Sequence, residues 1–117
     1  MKVILVNGSP HKEGCTYTAL KEVEKELNAA GVETELFWLG VKPISGCLGC
    51  GACCKRGPNG ERPTGRCVID DVVNEFLDKA EQADGFIFGS PVHYAALSGA
   101  LTSFMDRTFY GKGKTFR

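Results

Sequence analysis

The chain has 117 residues, a length typical of one domain with one hydrophobic core. Its 14 lysine and arginine residues balance 14 aspartate and glutamate residues, so the formal net charge is zero. Proteins that bind the nucleic-acid backbone usually carry an excess of basic residues, so this balance disfavours nucleic acid as a partner. The apolar fraction of 43% and the charged fraction of 24% exclude a disordered or collagen-like chain.

No segment of the sequence has the pattern of a targeting or membrane segment. The apolar run that begins at Val3 is too short for a signal-peptide core, and residues 7–10 (NGSP) interrupt it. No apolar run approaches the roughly 18 residues that a membrane helix requires. We therefore expect a cytoplasmic protein without a membrane anchor. In that compartment its six cysteines would be metal ligands, reactive thiols or small buried side chains rather than disulfides.

The first third of the sequence predicts a strand, a helix and a second strand. Residues 3–6 form a short β-branched run that is typical of a buried parallel strand. Apolar residues at helical spacing predict a helix from about residue 16 to residue 30, and Gly31 ends it. Residues 32–39 alternate polar and apolar side chains before they become wholly apolar, which is typical of an edge strand.

The remainder predicts a long loop, a helix, a strand and a last helix. Residues 40–67 show no periodicity, and their glycine-rich, charged part predicts an exposed and mobile loop. Asp70 and Asp71 start a helix, because acidic residues favour the positive end of the helix dipole. Residues 85–89 form a third buried strand, and Ser98 can cap a final helix. The side chains of this helix that are expected to face the core are Leu101, Phe104 and Met105. Asp106 and Arg107 are expected to cap the helix and to pair with each other.

This order of elements predicts an α/β fold with a doubly wound parallel sheet and right-handed crossovers. The predicted strand order is 2-1-3. Such a sheet normally continues for two or more strands, so we expect later strands to be missing from this chain. Residues 1–117 would then be the N-terminal portion of a single domain, with a cysteine-rich loop at about residues 40–69. Residues 111–117 resemble a linker.

Residues 8–16 (GSPHKEGCT) join the first strand to the first helix. Backbone amides at the helix N-terminus, the hydroxyls of Ser9 and Thr16 and the nearby glycines can form a phosphate cradle. Their spacing matches neither the dinucleotide fingerprint nor the phosphate loop of the NTPases, which disfavours both classes. An ordinary strand-to-helix turn with Thr16 as N-cap explains the same residues.

Residues 89–94 (GSPVHY) follow the third strand. In a sheet of order 2-1-3 the first and third strands are neighbours at the point where the winding reverses, and ligands bind outside the carboxyl ends of such strands. The two loops are therefore predicted to converge on one crevice. Amides after Pro91 and the ring of Tyr94 would suit a flat heteroaromatic ligand, and a simple turn with a packed tyrosine is the alternative.

Three cysteines, Cys47, Cys50 and Cys53, stand at two-residue intervals. Thiolates at this spacing can surround one iron–sulfur cluster, with a fourth ligand from Cys67 or Cys54. Zinc prefers two CxxC pairs, and the sequence has no second pair. Reduced thiols without a ligand are the remaining alternative.

Six segments, in chain order, carry a resemblance to a known family. They are residues 7–16, the Cys47-x-x-Cys50-x-x-Cys53 segment, Cys67 with Asp70 and Asp71, residues 83–85, residues 90–94 and residues 98–107. Together they resemble the flavodoxin-like NAD(P)H-dependent FMN reductases, including the iron–sulfur flavoproteins. The resemblance covers the whole chain and implies a flavodoxin-like fold with FMN as cofactor.

The resemblance also implies which residues contact FMN. Those that would hold its phosphate are Ser9, His11, Cys15 and Thr16. Those that would line the isoalloxazine ring or lie near it are Pro91, Val92, His93, Tyr94 and Ser98. A [4Fe–4S] cluster in the iron–sulfur members would correspond here to Cys47, Cys50, Cys53 and Cys67.

The implied function is an oxidoreductase that passes a hydride from NAD(P)H to the flavin and electrons onward to a small-molecule acceptor. Because the cofactor carries the chemistry, no side chain is expected to be catalytic. Two alternatives stay open: an iron–sulfur flavoprotein that carries electrons between proteins, and a non-catalytic half-domain that needs a partner chain. An unpaired edge of the third strand promotes association, so we expect missing residues or a second copy in a homo-oligomer to cover it.

Overall fold

The computed structural model describes residues 1–112, which fold around a three-stranded parallel sheet. Strand β1 is Lys2–Asn7, β2 is Glu33–Trp38 and β3 is Gly85–Gly89. The spatial order is β2-β1-β3, and β1 pairs in parallel with both neighbours. The predicted strand order is therefore confirmed.

Helices cover both faces of this sheet. Helix α1 is Cys15–Ala29, α2 is Val72–Ala80 and α3 is Gly99–Lys112. On one face, Leu20 of α1 packs with Val3 and Leu5 of β1. On the other face, residues of α2 and α3 pack with Ile4 and Val6. Alternate residues of β1 thus enter two separate cores, which explains its wholly apolar sequence and confirms the doubly wound architecture.

Aromatic side chains fill the centre of the larger core. Phe76 of α2 is 1% exposed, and its ring centroid lies 5.4 Å from that of Phe37, 5.6 Å from that of Phe86 and 4.8 Å from that of Phe104. The tilted and edge-on arrangements are those that aromatic pairs prefer. These contacts fix α2 and α3 against the sheet.

The polar residues of β2 are explained by its position at the edge of the sheet. Glu35 accepts a hydrogen bond from Lys79 of α2 at 2.7 Å and pairs with Lys2 of β1 at 3.7 Å. Hydrogen bonding to Lys79 is the largest cause that lowers the pKa of Glu35. The predicted edge strand is confirmed.

The helix starts agree with the prediction in two cases and differ in the third. The Asp71 carboxylate accepts a hydrogen bond from the amide of Val73 at 3.1 Å, and the Ser98 hydroxyl oxygen accepts one from Leu101 at 3.3 Å. Helix α1 begins one residue earlier than predicted, with Gly14 as N-cap, so Thr16 is not the N-cap.

A small hairpin after β3 was not predicted. Strand β4, Val92–His93, pairs antiparallel with β5, Ala96–Leu97. The two turn residues between them, Tyr94 and Ala95, have φ values of +49° and +61°. Tight hairpins need this left-handed backbone, but Asn-Gly is its usual sequence signal. Since Tyr94 and Ala95 do not match this signal, the sequence did not predict the turn.

The last helix is longer than predicted. Gly111 and Lys112 belong to α3 rather than to the predicted linker, and residues 113–117 lie outside the described residues. Among residues 1–112, no helix combines the length and the apolar character that a membrane crossing requires.

Candidate functional site

The loops that follow β1 and β3 meet at the carboxyl edge of the sheet. The amide of Gly8 donates a hydrogen bond to the carbonyl of Gly89 at 2.9 Å. The Ser98 hydroxyl donates to the carbonyl of Gly8 at 2.8 Å, and the Ser98 amide donates to the Ser90 hydroxyl at 2.9 Å. The start of α3 therefore joins the two loops, as the predicted convergence requires.

Gly8 permits this close approach because it has no side chain. A Cβ atom there would lie 2.8 Å from Cβ of Leu101 and 3.2 Å from the carbonyl oxygen of Gly89. Any side chain at this position would therefore separate α3 from the loop after β1.

Asn7 shapes the loop after β1. Its side chain is buried at the end of the strand, where Oδ1 accepts a hydrogen bond from the Ser9 amide at 3.0 Å and Nδ2 donates to the carbonyl of Lys12 at 3.1 Å. The Ser9 hydroxyl accepts a further bond from the His11 amide at 3.1 Å. From the sequence, Asn7 is predicted only to end the strand. A polar residue at the end of a buried apolar strand could have indicated that its side chain bonds the following loop.

Trp38, at the end of the neighbouring strand β2, fixes the same loop from the side. Its indole nitrogen donates a hydrogen bond to the carbonyl of Ser9 at 2.8 Å. The ammonium of Lys12 lies 5.7 Å from the indole ring centroid, within the range of a cation–π contact. The loop is thus held by long-range contacts as well as by Asn7.

The N-terminus of α1 is open to an anion. No side chain among the described residues caps it, and its first turn contains no acidic residue. First-turn amides without intrahelical acceptors, together with the helix dipole, favour a negatively charged group at this position. Of the predicted phosphate contacts, Ser9 is buried, Thr16 is half-buried, and His11 and Cys15 are exposed.

Two of the predicted ring contacts line a cavity between the loops. His93 and Ser98 share a cavity of about 420 Å³ with Gly8 and Pro10, a volume within the range of small-molecule sites. Pro91 is half-buried. Val92 is 78% exposed and Tyr94 is fully exposed at the hairpin tip. The structure thus brings His93 and Ser98 to the loop after β1, and it leaves Val92 and Tyr94 facing outward.

The cysteine-rich segment forms a second candidate site. One cavity is lined by all four predicted ligands, Cys47, Cys50, Cys53 and Cys67. Cys54 packs instead with its Sγ 3.7 Å from that of Cys53. Of the two thiols considered for the fourth position, Cys67 lines the cavity with the other three, and Cys54 does not.

The donor chemistry of this cavity fits an iron–sulfur cluster, since clusters take four cysteine thiolates. In residues 1–112, no three histidine, cysteine, aspartate or glutamate side chains converge closely enough to hold a single metal ion. Burial, followed by a hydrogen bond with Cys54, raises the pKa of Cys53 to about 11. Cys53 is therefore a neutral thiol at neutral pH, and ligation would have to displace its proton.

Helices α2 and α3 hold the two ends of the cysteine segment. The Cys47 amide donates to the Asp106 carboxylate at 2.8 Å. The Cys67 amide donates to Oδ1 of Asn74 at 2.8 Å, and Nδ2 of Asn74 donates to the Cys67 carbonyl at 2.9 Å. Asn74, which lies buried in α2, was not predicted from the sequence to contact this segment.

The expected pairing of Asp106 with Arg107 on the last helix is wrong. Asp106 reaches Cys47, while both terminal nitrogens of Arg107 donate to the Asp71 carboxylate, at 2.7 and 2.8 Å. Asp71 is the largest cause that raises the pKa of Arg107, and the neighbouring Cys67 thiol adds to it. Adjacent residues on a helix point in different directions, so each finds its partner in another element.

The family model of the NADPH-dependent FMN reductases matches residues 1–117. This chain belongs to that family. The predicted family is thus confirmed, and FMN is the family's cofactor.

Several curated relatives of this FMN reductase family member are named iron–sulfur flavoproteins. The chain is 39% identical over 108 residues to one from Methanocaldococcus jannaschii, covering 92% of this chain and 52% of that protein. It is 33% identical over 118 residues to one from Archaeoglobus fulgidus, covering 100% of this chain and 50% of that protein. The chain therefore spans about half the length of the curated relatives it matches.

A solved structure supports the fold. Smu.1420 from Streptococcus mutans superposes with a TM-score of 0.62 at 20% identity, over 93% of this chain and 53% of that chain. At this identity the likeness concerns the fold alone, and it confirms the predicted flavodoxin-like architecture.

Proposed function

We propose that this protein is an FMN-dependent oxidoreductase that passes electrons from NAD(P)H through FMN to a small-molecule acceptor. The observation that carries the proposal is the meeting of the β1 and β3 loops beside the uncapped N-terminus of α1. In doubly wound sheets this position, at the carboxyl ends of the strands, is where nucleotide cofactors bind. Membership of the FMN reductase family supports the same cofactor.

The FMN phosphate is proposed to bind at the start of α1. Amides of the first turn and the hydroxyls of Ser9 and Thr16 would donate hydrogen bonds to it, and His11 and Cys15 would flank it. Asn7 and Trp38 keep the loop in its shape before the phosphate arrives, which lowers the entropy cost of binding.

The flavin ring is proposed to lie against the hairpin after β3. Pro91, Val92, His93 and Tyr94 would cover its surface, with Ser98 near its edge. The exposed side chains of Val92 and Tyr94 would be buried by a flat aromatic ligand, which is favourable. Bound FMN supplies the hydride and single-electron chemistry. The protein binds and orients it, and we assign no catalytic side chain.

Replacement of Thr16 by valine tests the phosphate site, and the same replacement at Thr18 is the control. The Thr18 hydroxyl donates to the carbonyl of Gly14 at 3.1 Å, so it is already used within the helix. A hydrogen bond to a charged group contributes about 1.5–3 kcal/mol, which predicts at least a roughly tenfold weaker FMN affinity for Thr16→Val. Flavin fluorescence titration measures both variants. Equal affinities would contradict the proposed phosphate contact.

The cysteine cavity supports a second candidate function, electron transfer through an iron–sulfur cluster. Cys47, Cys50, Cys53 and Cys67 would be the ligands, since these thiols line one cavity. A [4Fe–4S] cluster supplies one-electron chemistry when bound. Thiols remain available for such a role in a reducing cytoplasm.

An absorbance spectrum of the anaerobically purified protein, with iron assayed on the same sample, separates the two candidates. Flavin bands with about four irons per chain would favour the electron carrier. Flavin bands without iron would favour the reductase and leave the cysteines as structural thiols. Cys67→Ser is expected to lower the iron content, whereas Cys54→Ser, which changes a thiol outside the cavity, is expected to leave it unchanged.

We also propose that residues 1–117 act as the N-terminal portion of one flavodoxin-like domain in a homo-oligomeric protein. Within residues 1–112, β3 pairs with β1 along one edge, and its other edge has no strand partner. Free edges promote association, so further strands or a second copy would cover it. Light scattering that finds the isolated 117-residue chain to be a monodisperse monomer would contradict this expectation.

A further inference from the structure

Arg107 is a buried cation in the wall of the cysteine cavity. Only 1% of its side-chain surface is exposed, and it lines the cavity together with Cys47, Cys50, Cys53 and Cys67. Burial of a charge is costly unless the charge is paired and hydrogen-bonded. The groups around this arginine must therefore offset the cost of burying its charge.

The guanidinium has five N–H donors, and four of them have acceptors. Asp71 takes two of these, at 2.7 and 2.8 Å, the Ile69 carbonyl takes one at 3.1 Å, and the Ser45 carbonyl takes one at 3.5 Å. The fifth donor, on Nε, is buried and has no acceptor among residues 1–112. Arg107 therefore binds the backbone on both sides of the cysteine segment, at Ser45 and at Ile69. Its Nε–H remains an unused hydrogen-bond donor within residues 1–112.

The two members of the ion pair lie in the walls of different cavities. Arg107 lines the cysteine cavity, whereas Asp71 lines the neighbouring cavity beside α2 and is 25% exposed. Solvent screens the carboxylate more than it screens the buried guanidinium. Arg107 thus brings a weakly screened positive charge to the wall of the cysteine cavity, although the ion pair as a whole is neutral.

We propose that Arg107 positions Cys67 and stabilises the negative charge that a cluster in this cavity gains on reduction. This inference rests on the proposed electron-carrier function. One-electron reduction of a cluster adds one negative charge without making or breaking a bond at the protein, and the electron would come from reduced FMN. A fixed cation and an N–H donor near the sulfurs favour the reduced state and raise the reduction potential.

The test is a redox titration of the protein with its cluster reconstituted, followed by electron paramagnetic resonance. Arg107→Gln is expected to reduce the equilibrium constant for reduction of the cluster at least tenfold. For one electron this corresponds to a reduction potential lower by about 59 mV or more. Arg107→Lys, which keeps the charge, is expected to retain most of the wild-type potential. Asp71→Asn removes the opposing charge and is expected to shift the potential upward.

Arg66→Gln is the matched control. Arg66 precedes Cys67 in the sequence, but its side chain is 45% exposed and pairs with Asp78 on the surface. Because solvent screens the charge of Arg66, its replacement is expected to change the equilibrium constant for reduction of the cluster less than twofold. The comparison thus separates a buried charge from an exposed one beside the same cysteine.

Each outcome supports or overturns the inference. If the wild-type protein takes up no iron, the electron-carrier function fails and the inference fails with it. If it takes up about four irons and Arg107→Gln has the same potential as Arg66→Gln, the inference alone fails. If Arg107→Gln does not fold, Asp71→Asn alone is the test, because it removes the opposing charge and leaves Arg107 in place, and an unchanged potential in that variant overturns the inference.

Discussion

Replacement of Asn74 by alanine is expected to destabilise the protein and to loosen Cys67. The Asn74 side chain is 4% exposed and bonds the Cys67 amide at 2.8 Å, the Cys67 carbonyl at 2.9 Å and, more weakly, the Ile69 carbonyl at 3.4 Å. The two short bonds join α2 to the last cysteine of the candidate metal site. The substitution removes both of them and leaves two half-buried backbone groups without partners.

The magnitude follows from these bonds. Each short hydrogen bond contributes about 1–1.5 kcal/mol, which gives a loss of about 2–3 kcal/mol for the pair. Alanine is the better helix former and returns about 0.5 kcal/mol. The expected decrease in the free energy of unfolding is therefore about 2 kcal/mol. With a urea dependence of about 2 kcal/mol per molar, the unfolding midpoint should fall by about 1 M.

Urea titration followed by the fluorescence of Trp38, the single tryptophan, measures this change. Asn28→Ala is the matched control, because Asn28 is also helical but is exposed, and within residues 1–112 its side chain accepts a hydrogen bond only from the Thr34 hydroxyl, at 2.9 Å. It is expected to change the free energy of unfolding by less than about 0.5 kcal/mol. Alkylation of Cys67, located by mass spectrometry, should accelerate only in Asn74→Ala. Equal midpoints for the two variants would refute the reasoning.

Three further predictions concern single residues of the scaffold. Gly8→Ala is expected to cost about 1–3 kcal/mol in urea unfolding, because the added Cβ would lie 2.8 Å from Cβ of Leu101, and an unchanged midpoint would contradict the close approach. Ala95→Gly is expected to stabilise the hairpin by about 0.5–1 kcal/mol, because glycine adopts the φ of +61° without strain, and a lower midpoint would argue against it. Glu35→Gln is expected to lower stability at neutral pH, because the pKa of Glu35 is depressed, first by its hydrogen bond to Lys79. A depressed pKa stabilises the fold above the ordinary value of 4.5 and ceases to do so as pH falls through the folded-state pKa. The difference between wild type and Glu35→Gln should thus shrink below about pH 4.5, and a constant difference would exclude the ion pair as its cause.

Local patterns in the sequence determined the three strands of the parallel sheet, the three helices and their order. The wholly apolar run of β1 and the mixed polarity of β2 reflect their central and edge positions, because burial on two faces admits no polar alternation. The caps Asp71 and Ser98 were predictable because a cap bonds amides only two or three residues away. The meeting of the loops after β1 and β3 also followed from the strand order, since parallel neighbours end at the same edge.

Only the tertiary structure decided the partners that lie far apart in sequence. Asn74 reaches Cys67, Arg107 reaches Asp71 across 36 positions, and Trp38 reaches Ser9 across 29. It also selected Cys67 rather than Cys54 for the cysteine cavity. Sequence periodicity records which face of an element is buried, but it contains no information about which side chain of another element meets that face. Those contacts depend on how helices pack across the sheet, and they fix the geometry of both candidate sites.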